Sequence, residues 1–375
     1  MITDSQSVVL TSLELGQGFW LSRARLNSES TLNSLTRTMI TELNAAFDQC
    51  ESDPNCVAIF LEGTGEKAFC AGGDIRAMYN SMVKHGASHN PEAIDFFESE
   101  YQLDYRIHKA TKPIIVWGTG FVMGGGLGLF AGAQHRIVTE TSKIAMPEIS
   151  IGLYPDVGGS YFLNKLPKGV GLFLGLSAHR LMASDSQFLG LSNHYYQSSD
   201  REKIPSILKD RAYKAGDLKH NAALVFETLS THEAAPTDAP LRAKLESIQD
   251  TFRYDSLEAN IGRWTKLAAR DDFFKKGLET FHKGSPTSAK IIFEQLRRTE
   301  RMSLEECFAL ETVLTIQFAA HHDFREGIRA LVIDKDNVPK WNPKSLGEVS
   351  ADIIAAHYKS PEGYKNPFHK RTTHT

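Results

Sequence analysis

The sequence predicts an α/β layered core followed by a region of helices, and three observations carry that expectation. Short apolar runs alternate with amphipathic helical stretches through about the first 200 residues. Two of those runs lead into glycine-rich turns. Beyond about residue 200, strand signals thin out and charged helical periodicity takes over. Strands alternating with helices build a sheet covered by helices. The expected organisation is therefore a catalytic core over residues 1–200 and a helical C-terminal region over residues 201–375.

Val8 to Leu15 and Phe19 to Leu21 flank Gly16-Gln-Gly18 and read as a β-hairpin. From Thr36 to Cys50, Met39, Ile40, Leu43, Ala46, Phe47 and Cys50 recur at three- and four-residue steps, the period of an amphipathic helix. Cys56 to Leu61 is a continuous apolar run of the kind found in buried strands. A glycine loop at 63–73 leads to a helical stretch reaching about His108. Pro113 to Trp117 is the next strand, followed by Gly118, Gly120 and Gly124 to Gly126. A short helix of small residues to Ala133 then precedes a strand at Arg136 to Glu140. Further on, Thr231 to Pro240 has the composition of a linker. Ser303-Leu-Glu-Glu306 has the spacing of a capping box, opening a helix that runs towards Ala320.

Composition excludes some functions. Lys plus Arg number 42 and Asp plus Glu 45 in 375 residues, a net charge of −3. No basic surplus exists to drive nucleic-acid binding. No apolar run approaches the ~18 residues of a membrane span. Cys50, Cys56, Cys70 and Cys307 have neither zinc-like nor redox spacing and suit a reducing compartment. Met1-Ile-Thr-Asp-Ser-Gln6 resembles neither a secretory nor a transit segment, so a cytoplasmic location is expected. The 14 histidines lack paired ligand spacing, and no metal is expected.

The strongest local signals are the turns Phe69-Cys-Ala-Gly-Gly-Asp74 and Met123-Gly-Gly-Gly-Leu-Gly128. Glycines let backbone approach a ligand closely, and two such turns on neighbouring strands can aim two N–H donors at one oxygen. The same glycines also serve tight turns and close helix–sheet packing. Gly126-Leu-Gly-Leu-Phe-Ala131 fits a dinucleotide fingerprint, but that reading leaves the first turn unexplained. Downstream, Glu148 and Asp156 stand eight positions apart among prolines and glycines. Two carboxyls in unequal environments divide into acid and base; alternatively Glu148 is a surface acid and Asp156 a turn residue. No Gly-x-Ser-x-Gly, His-Glu-x-x-His or complete P-loop is present.

Taken together, Lys67-Ala-Phe-Cys-Ala-Gly-Gly-Asp-Ile-Arg76, Met123-Gly-Gly-Gly126, Ala145-Met-Pro-Glu148 and Ile151-Gly-Leu-Tyr-Pro-Asp-Val-Gly-Gly-Ser-Tyr-Phe162 resemble the crotonase (enoyl-CoA hydratase/isomerase) superfamily. Ser285-Pro-Thr-Ser288, His322 to Ala330, Ile333 to Asp336 and Pro339-Lys-Trp341 resemble most closely its 3-hydroxyisobutyryl-CoA hydrolase branch. The resemblance implies a ββα spiral core and hydrolysis of an acyl-CoA thioester in valine catabolism. It gives the oxyanion hole to the N–H groups of Gly73 and Gly125, and catalytic roles to Glu148 and Asp156. Substrate contacts fall to Glu100, Gly125, Glu148 and Asp156. The implied reaction needs no cofactor, CoA being part of the substrate. The implied partner is acyl-CoA, with neither nucleic acid nor membrane, and homo-oligomers occur among such relatives. C-terminal helices in such relatives cover the active site or build the oligomer; Trp264, Phe273, Phe274 and Phe281 supply bulk for either task or for a core. Lys67, Arg76 and Arg23 are the nearby basic groups for the CoA phosphates.

Two alternatives are weighed against hydrolysis. A hydratase or isomerase of the same fold is disfavoured because hydratases keep a second glutamate just after the glycine triplet, where this chain has Gly128. A non-catalytic acyl-CoA binder is disfavoured because both carboxylates are retained.

Overall fold

A computed structural model describes residues 6–86, 90–235 and 238–368. The chain divides into two compact units, and neither is continuous in sequence. The first takes residues 1–73, 106–144 and 181–242; the second takes 74–105, 145–180 and 243–375.

The first unit holds the strands. Val8–Gly16 (β1) and Phe19–Leu26 (β2) form the expected antiparallel hairpin, the second strand running five residues beyond Leu21. Cys56–Gly63 (β3) is buried along its whole length, as its unbroken apolar run demands. Ala68–Cys70 (β4), Ile114–Gly118 (β5), Phe121–Met123 (β6), His135–Thr139 (β7), Lys143–Ala145 (β8), Leu181–Met182 (β9) and His194–Tyr196 (β10) follow. One sheet has the order β1-β2-β3-β5-β7-β10 and is parallel from β2 onward; a smaller one has the order β4-β6-β8-β9. No strand follows Tyr196 among the described residues.

The Arg37–Ser52 helix starts where Thr36 accepts the Met39 N–H, and it buries the six residues whose spacing predicts it. Val57, Phe60, Ile115, Trp117, Ile137 and Tyr196 form the core of this unit together with Ile204, Leu208, Val225 and Leu229. Of the expected linker at 231–240, residues 236–237 lie outside those described; His232 ends a helix that begins at Leu218.

The second unit is built of helices. Leu304–Ala320 opens with the capping box that the sequence predicts. Trp264 is fully buried and donates its indole N–H to the Phe274 carbonyl at 3.0 Å. Its ring meets Phe173, Phe252 and Phe281 with centroids 5.1–6.0 Å apart. These aromatics therefore form the core of the second unit. The helical stretch expected up to His108 is two helices, Ile75–His85 and Pro91–Lys109. Among the described residues no helix is long and apolar enough to cross a membrane.

Candidate active site

Each unit carries one constellation suited to catalysis. In the first, β4 and β6 are parallel neighbours, with Ala68 opposite Phe121 and Cys70 opposite Val122. Each strand is three residues long and runs directly into a glycine turn, so the two turns leave side by side. Gly72 (φ +114°) and Gly124 (φ +49°) adopt backbone conformations that a side chain disfavours. At Gly126 a Cβ would stand 2.2 Å from the Cys70 carbonyl oxygen. Glycine is thus what allows the Gly125–Ala131 helix to start against β4, and this accounts for the fingerprint-like run without a nucleotide.

The first turn is pinned by the Leu35 N–H on the Gly72 carbonyl (2.8 Å) and the Ala71 N–H on the Leu32 carbonyl (3.1 Å). The N–H groups of Gly73 and Gly125 have no hydrogen-bond partner among the described residues. Gly125 is the first residue of its helix, where backbone donors lack an intrahelical acceptor. Two unspent donors on adjacent turns can receive a developing negative charge.

The basic groups near these turns differ in availability. The Arg23 guanidinium is committed to Glu62 (Nε–Oε1 2.7 Å) and to Glu202 (Nη1–Oε2 2.9 Å). Lys67 is exposed, and Arg76 in the second unit is exposed and donates to the Val332 carbonyl at 3.2 Å.

In the second unit the structure brings together Glu100, Glu148 and Asp156, which are 2%, 4% and 4% exposed. Glu148 opens the four-residue 3-10 turn Glu148–Ile151. That turn ends on Gly152 in the left-handed region (φ +71°), where a Cβ would stand 2.3 Å from the Asp323 carbonyl oxygen. Ser285 fixes it from outside: its N–H donates to the Ile149 carbonyl (3.1 Å) and its hydroxyl to Asp323 (2.6 Å).

Asp156 is both of the things the sequence allows. Its carbonyl accepts the Gly159 N–H (2.6 Å), so it does open a turn. Its side chain is nevertheless buried and accepts the Tyr101 hydroxyl at 2.7 Å. Val157, next in the chain, has φ +54°, a conformation costly for a β-branched residue. Glu311 holds that strained turn: its carboxylate accepts the Gly158 N–H (2.7 Å), the Ser160 N–H (2.9 Å) and the Ser160 hydroxyl. Gln295 adds a bond to the Pro155 carbonyl at 2.8 Å.

Burial governs the acidity of the cluster. It lifts Glu100 well above the carboxylate range, with the Asp156 charge adding to the rise. Glu148 is raised well above that range by burial, then by Asp156. Asp156 rises only to about 6, because the Tyr101 hydrogen bond opposes its burial. Glu311 is pushed up by burial to about 8. Asp104, one helical turn beyond Glu100, is raised by burial and then by Glu100, and neither of its oxygens has a partner among the described residues. No basic side chain pairs with any of these five acids among the described residues. Burial without a basic partner favours the protonated forms of these acids, and carboxyls in unequal surroundings can divide into a proton donor and a proton acceptor.

Asp104, Tyr101, Glu311 and Thr315 are not picked out in the sequence reading. Glu311 does leave a signal, as the one charged residue between Cys307 and Ala320. A charge inside an otherwise apolar helix is seldom buried without a purpose.

The model of the enoyl-CoA hydratase/isomerase family matches residues 21–358. The chain is 39% identical to the mitochondrial 3-hydroxyisobutyryl-CoA hydrolase of Xenopus tropicalis over 337 residues, covering 89% of this chain and 85% of the relative. It is 36% identical to the Homo sapiens protein of the same description over 337 residues, with the same coverage. Among solved structures it resembles an enoyl-CoA hydratase from Rhodobacter sphaeroides 2.4.1, with TM-score 0.82, 30% identity and coverage of 94% of this chain and 97% of that one. It also resembles a carnitinyl-CoA dehydratase from Mycobacterium thermoresistibile, with TM-score 0.84, 29% identity and coverage of 96% and 98%.

Proposed function

The chain belongs to the enoyl-CoA hydratase/isomerase family, and from that premise we propose that it hydrolyses an acyl-CoA thioester, 3-hydroxyisobutyryl-CoA, to 3-hydroxyisobutyrate and CoA. The observation that carries this reading is the pair of buried carboxyls, Glu148 and Asp156, in a chain whose relatives over most of its length are such hydrolases.

The roles follow from the chemistry of each group. The Gly73 and Gly125 N–H groups donate to the thioester oxygen as it becomes an oxyanion; losing one such donor costs roughly 10²–10³ in rate. Glu148 in its ionised form either takes a proton from water as the hydroxide adds to the acyl carbon, or adds directly to form an anhydride that water opens. The C–S bond breaks, and Asp156 supplies the proton that turns the leaving thiolate into a thiol. The proton gained by Glu148 then restores Asp156, so the cycle consumes one water and releases one acid and one thiol. Single turnover in oxygen-18 water tests the anhydride route, since label enters Glu148 only when water opens an anhydride at the Glu148 carbonyl. Glu100 accepts the substrate hydroxyl. No cofactor enters these steps, and four cysteines at neither zinc-like nor redox spacing suit a reducing compartment, the cytoplasm in this reading.

A second reading, hydration of an enoyl-CoA, is favoured by the descriptions of the two structural relatives. It is disfavoured by Gly128, which is buried in the Gly125–Ala131 helix and offers no carboxylate. One assay separates the two. Incubation with 3-hydroxyisobutyryl-CoA should release thiol, while crotonyl-CoA should keep its enoyl absorbance. The reverse pattern would overturn the hydrolase.

A further inference from the structure

Four oxygen–oxygen contacts run in line from the Asp156 carboxyl to a backbone carbonyl. Asp156 Oδ2 stands 2.7 Å from the Tyr101 hydroxyl, which stands 2.6 Å from Thr315 Oγ1. Thr315 Oγ1 is bonded in turn to the Tyr154 hydroxyl, and the Tyr154 hydroxyl is 2.6 Å from the Glu311 carbonyl oxygen. Tyr101, Tyr154 and Thr315 are all fully buried. At these separations each contact requires one proton, and each hydroxyl owns one.

The count depends on Asp156. The Glu311 carbonyl only accepts. An ionised Asp156 also only accepts, leaving three protons for four contacts and setting one pair of buried oxygens against each other. A protonated Asp156 donates to Tyr101, Tyr101 to Thr315, Thr315 to Tyr154 and Tyr154 to the carbonyl, and every contact is filled. We propose that Tyr101, Thr315 and Tyr154 form a hydroxyl chain that favours the protonated form of Asp156 and so leaves the negative charge of the pair on Glu148. They are positioning residues, acting through Asp156.

The surroundings make this assignment consequential. Glu100, Asp104, Glu148 and Glu311 and the phenols of Tyr101 and Tyr154 all face Asp156 closely enough to feel its charge. The Tyr101 hydroxyl donating to Asp156 holds that carboxyl below Glu148, which would by itself make Asp156 the base and Glu148 the acid. The hydroxyl chain reverses that order and yields the division of labour that hydrolysis requires. When Asp156 gives its proton to sulfur, the hydroxyls rotate so that Tyr101 donates to the new carboxylate. The proton returned from Glu148 turns them back. The assignment of roles rests on the hydrolase reading; the hydrogen-bond count does not.

Infrared titration tests the chain without substrate, using the carbonyl stretch of protonated Asp156 identified by its loss in Asp156→Asn. Thr315→Val leaves two contacts and two protons, satisfied with Asp156 ionised. Its midpoint should fall by on the order of one pH unit, tenfold in the protonation equilibrium. Tyr154→Phe leaves the same balance and should move the midpoint the same way, an independent check should the valine variant fold poorly. Tyr101→Phe strips the carboxylate of its donor and should raise the midpoint. If Thr315 only buttresses Tyr101 as a donor, both Thr315→Val and Tyr154→Phe will raise the midpoint or leave it unchanged, and the chain is refuted. In the thiol-release assay the alkaline limb should shift to lower pH in both variants. Failure of the hydrolase reading would show separately, as absent thiol release from the unaltered protein whatever the infrared midpoint.

Discussion

The glycine turns of the first unit and the carboxylate cluster of the second present opposite chemistry. In the proposed mechanism the turns act through backbone N–H groups, which only proline removes and which other substitutions spoil by displacement. The cluster would act through side chains, which can be exchanged atom for atom while the backbone stays. Activity and stability should therefore fall together in the turns and separate in the cluster.

The largest effect tests the cluster. Glu148→Gln should lower thiol release by on the order of 10³-fold with substrate binding retained. Urea unfolding should find the variant as stable as the parent or more so, because a buried ionisable group has been neutralised. Turnover near that of the parent would end the assignment of Glu148. Next comes the glycine region. Gly126→Ala drives a Cβ to 2.2 Å from the Cys70 carbonyl oxygen, so the Gly125 N–H must shift. Both thiol release, by about 10²-fold, and stability, by ~1–3 kcal/mol, should be lost together. An alanine variant that keeps its stability while losing its rate would erase the contrast.

Smaller effects sharpen it. Glu100→Gln should lower turnover of the hydroxylated acyl-CoA by up to about tenfold relative to an unhydroxylated one, the worth of one hydrogen bond. Equal losses would remove Glu100 from the hydroxyl. The weakest effect is in pH dependence. Burial raises Asp156 and takes Glu311 to about 8, while unfolded carboxyls titrate near ~4. Native protein therefore binds more protons than unfolded protein across that window, and stability should fall as pH rises from about 4 to about 8. Each group contributes at most ~1.4 kcal/mol per pH unit. Glu311→Gln should flatten the upper part of the curve in urea titrations; an unchanged slope would mean that Glu311 does not titrate there.

The same contrast explains what could be read in the sequence. The hairpin, the Arg37–Ser52 helix and the buried strands β3, β5 and β7 announce themselves, because each satisfies its own hydrophobic period over five residues or more. β4, β6, β8 and β9 run two or three residues each and are called into being by pairing across the sheet, which leaves no local period. The glycine turns are legible because a missing Cβ is a mark in the sequence itself. Glu100, Glu148 and Asp156 are named by family resemblance, since spacing alone left Asp156 open to a plain turn reading. Thr315 and Tyr101 look like ordinary fillers of the helices that bear them. Their meaning arises only when residues 55 and 214 positions from Tyr101 meet it.

The interleaving of the two units has a consequence for synthesis. The last segment of the unit with the glycine turns ends at Arg242, so its three stretches are complete while much of the chain is still to be made. The other unit must wait for the Leu304–Ala320 helix, which brings Glu311 and Thr315 to the turn around Asp156. Until that helix emerges from the ribosome, the strained Val157 turn lacks its clamp and the acids at 100, 104, 148 and 156 lack their burial. The nascent protein thus completes the unit that carries the glycine turns early and encloses its buried acids last.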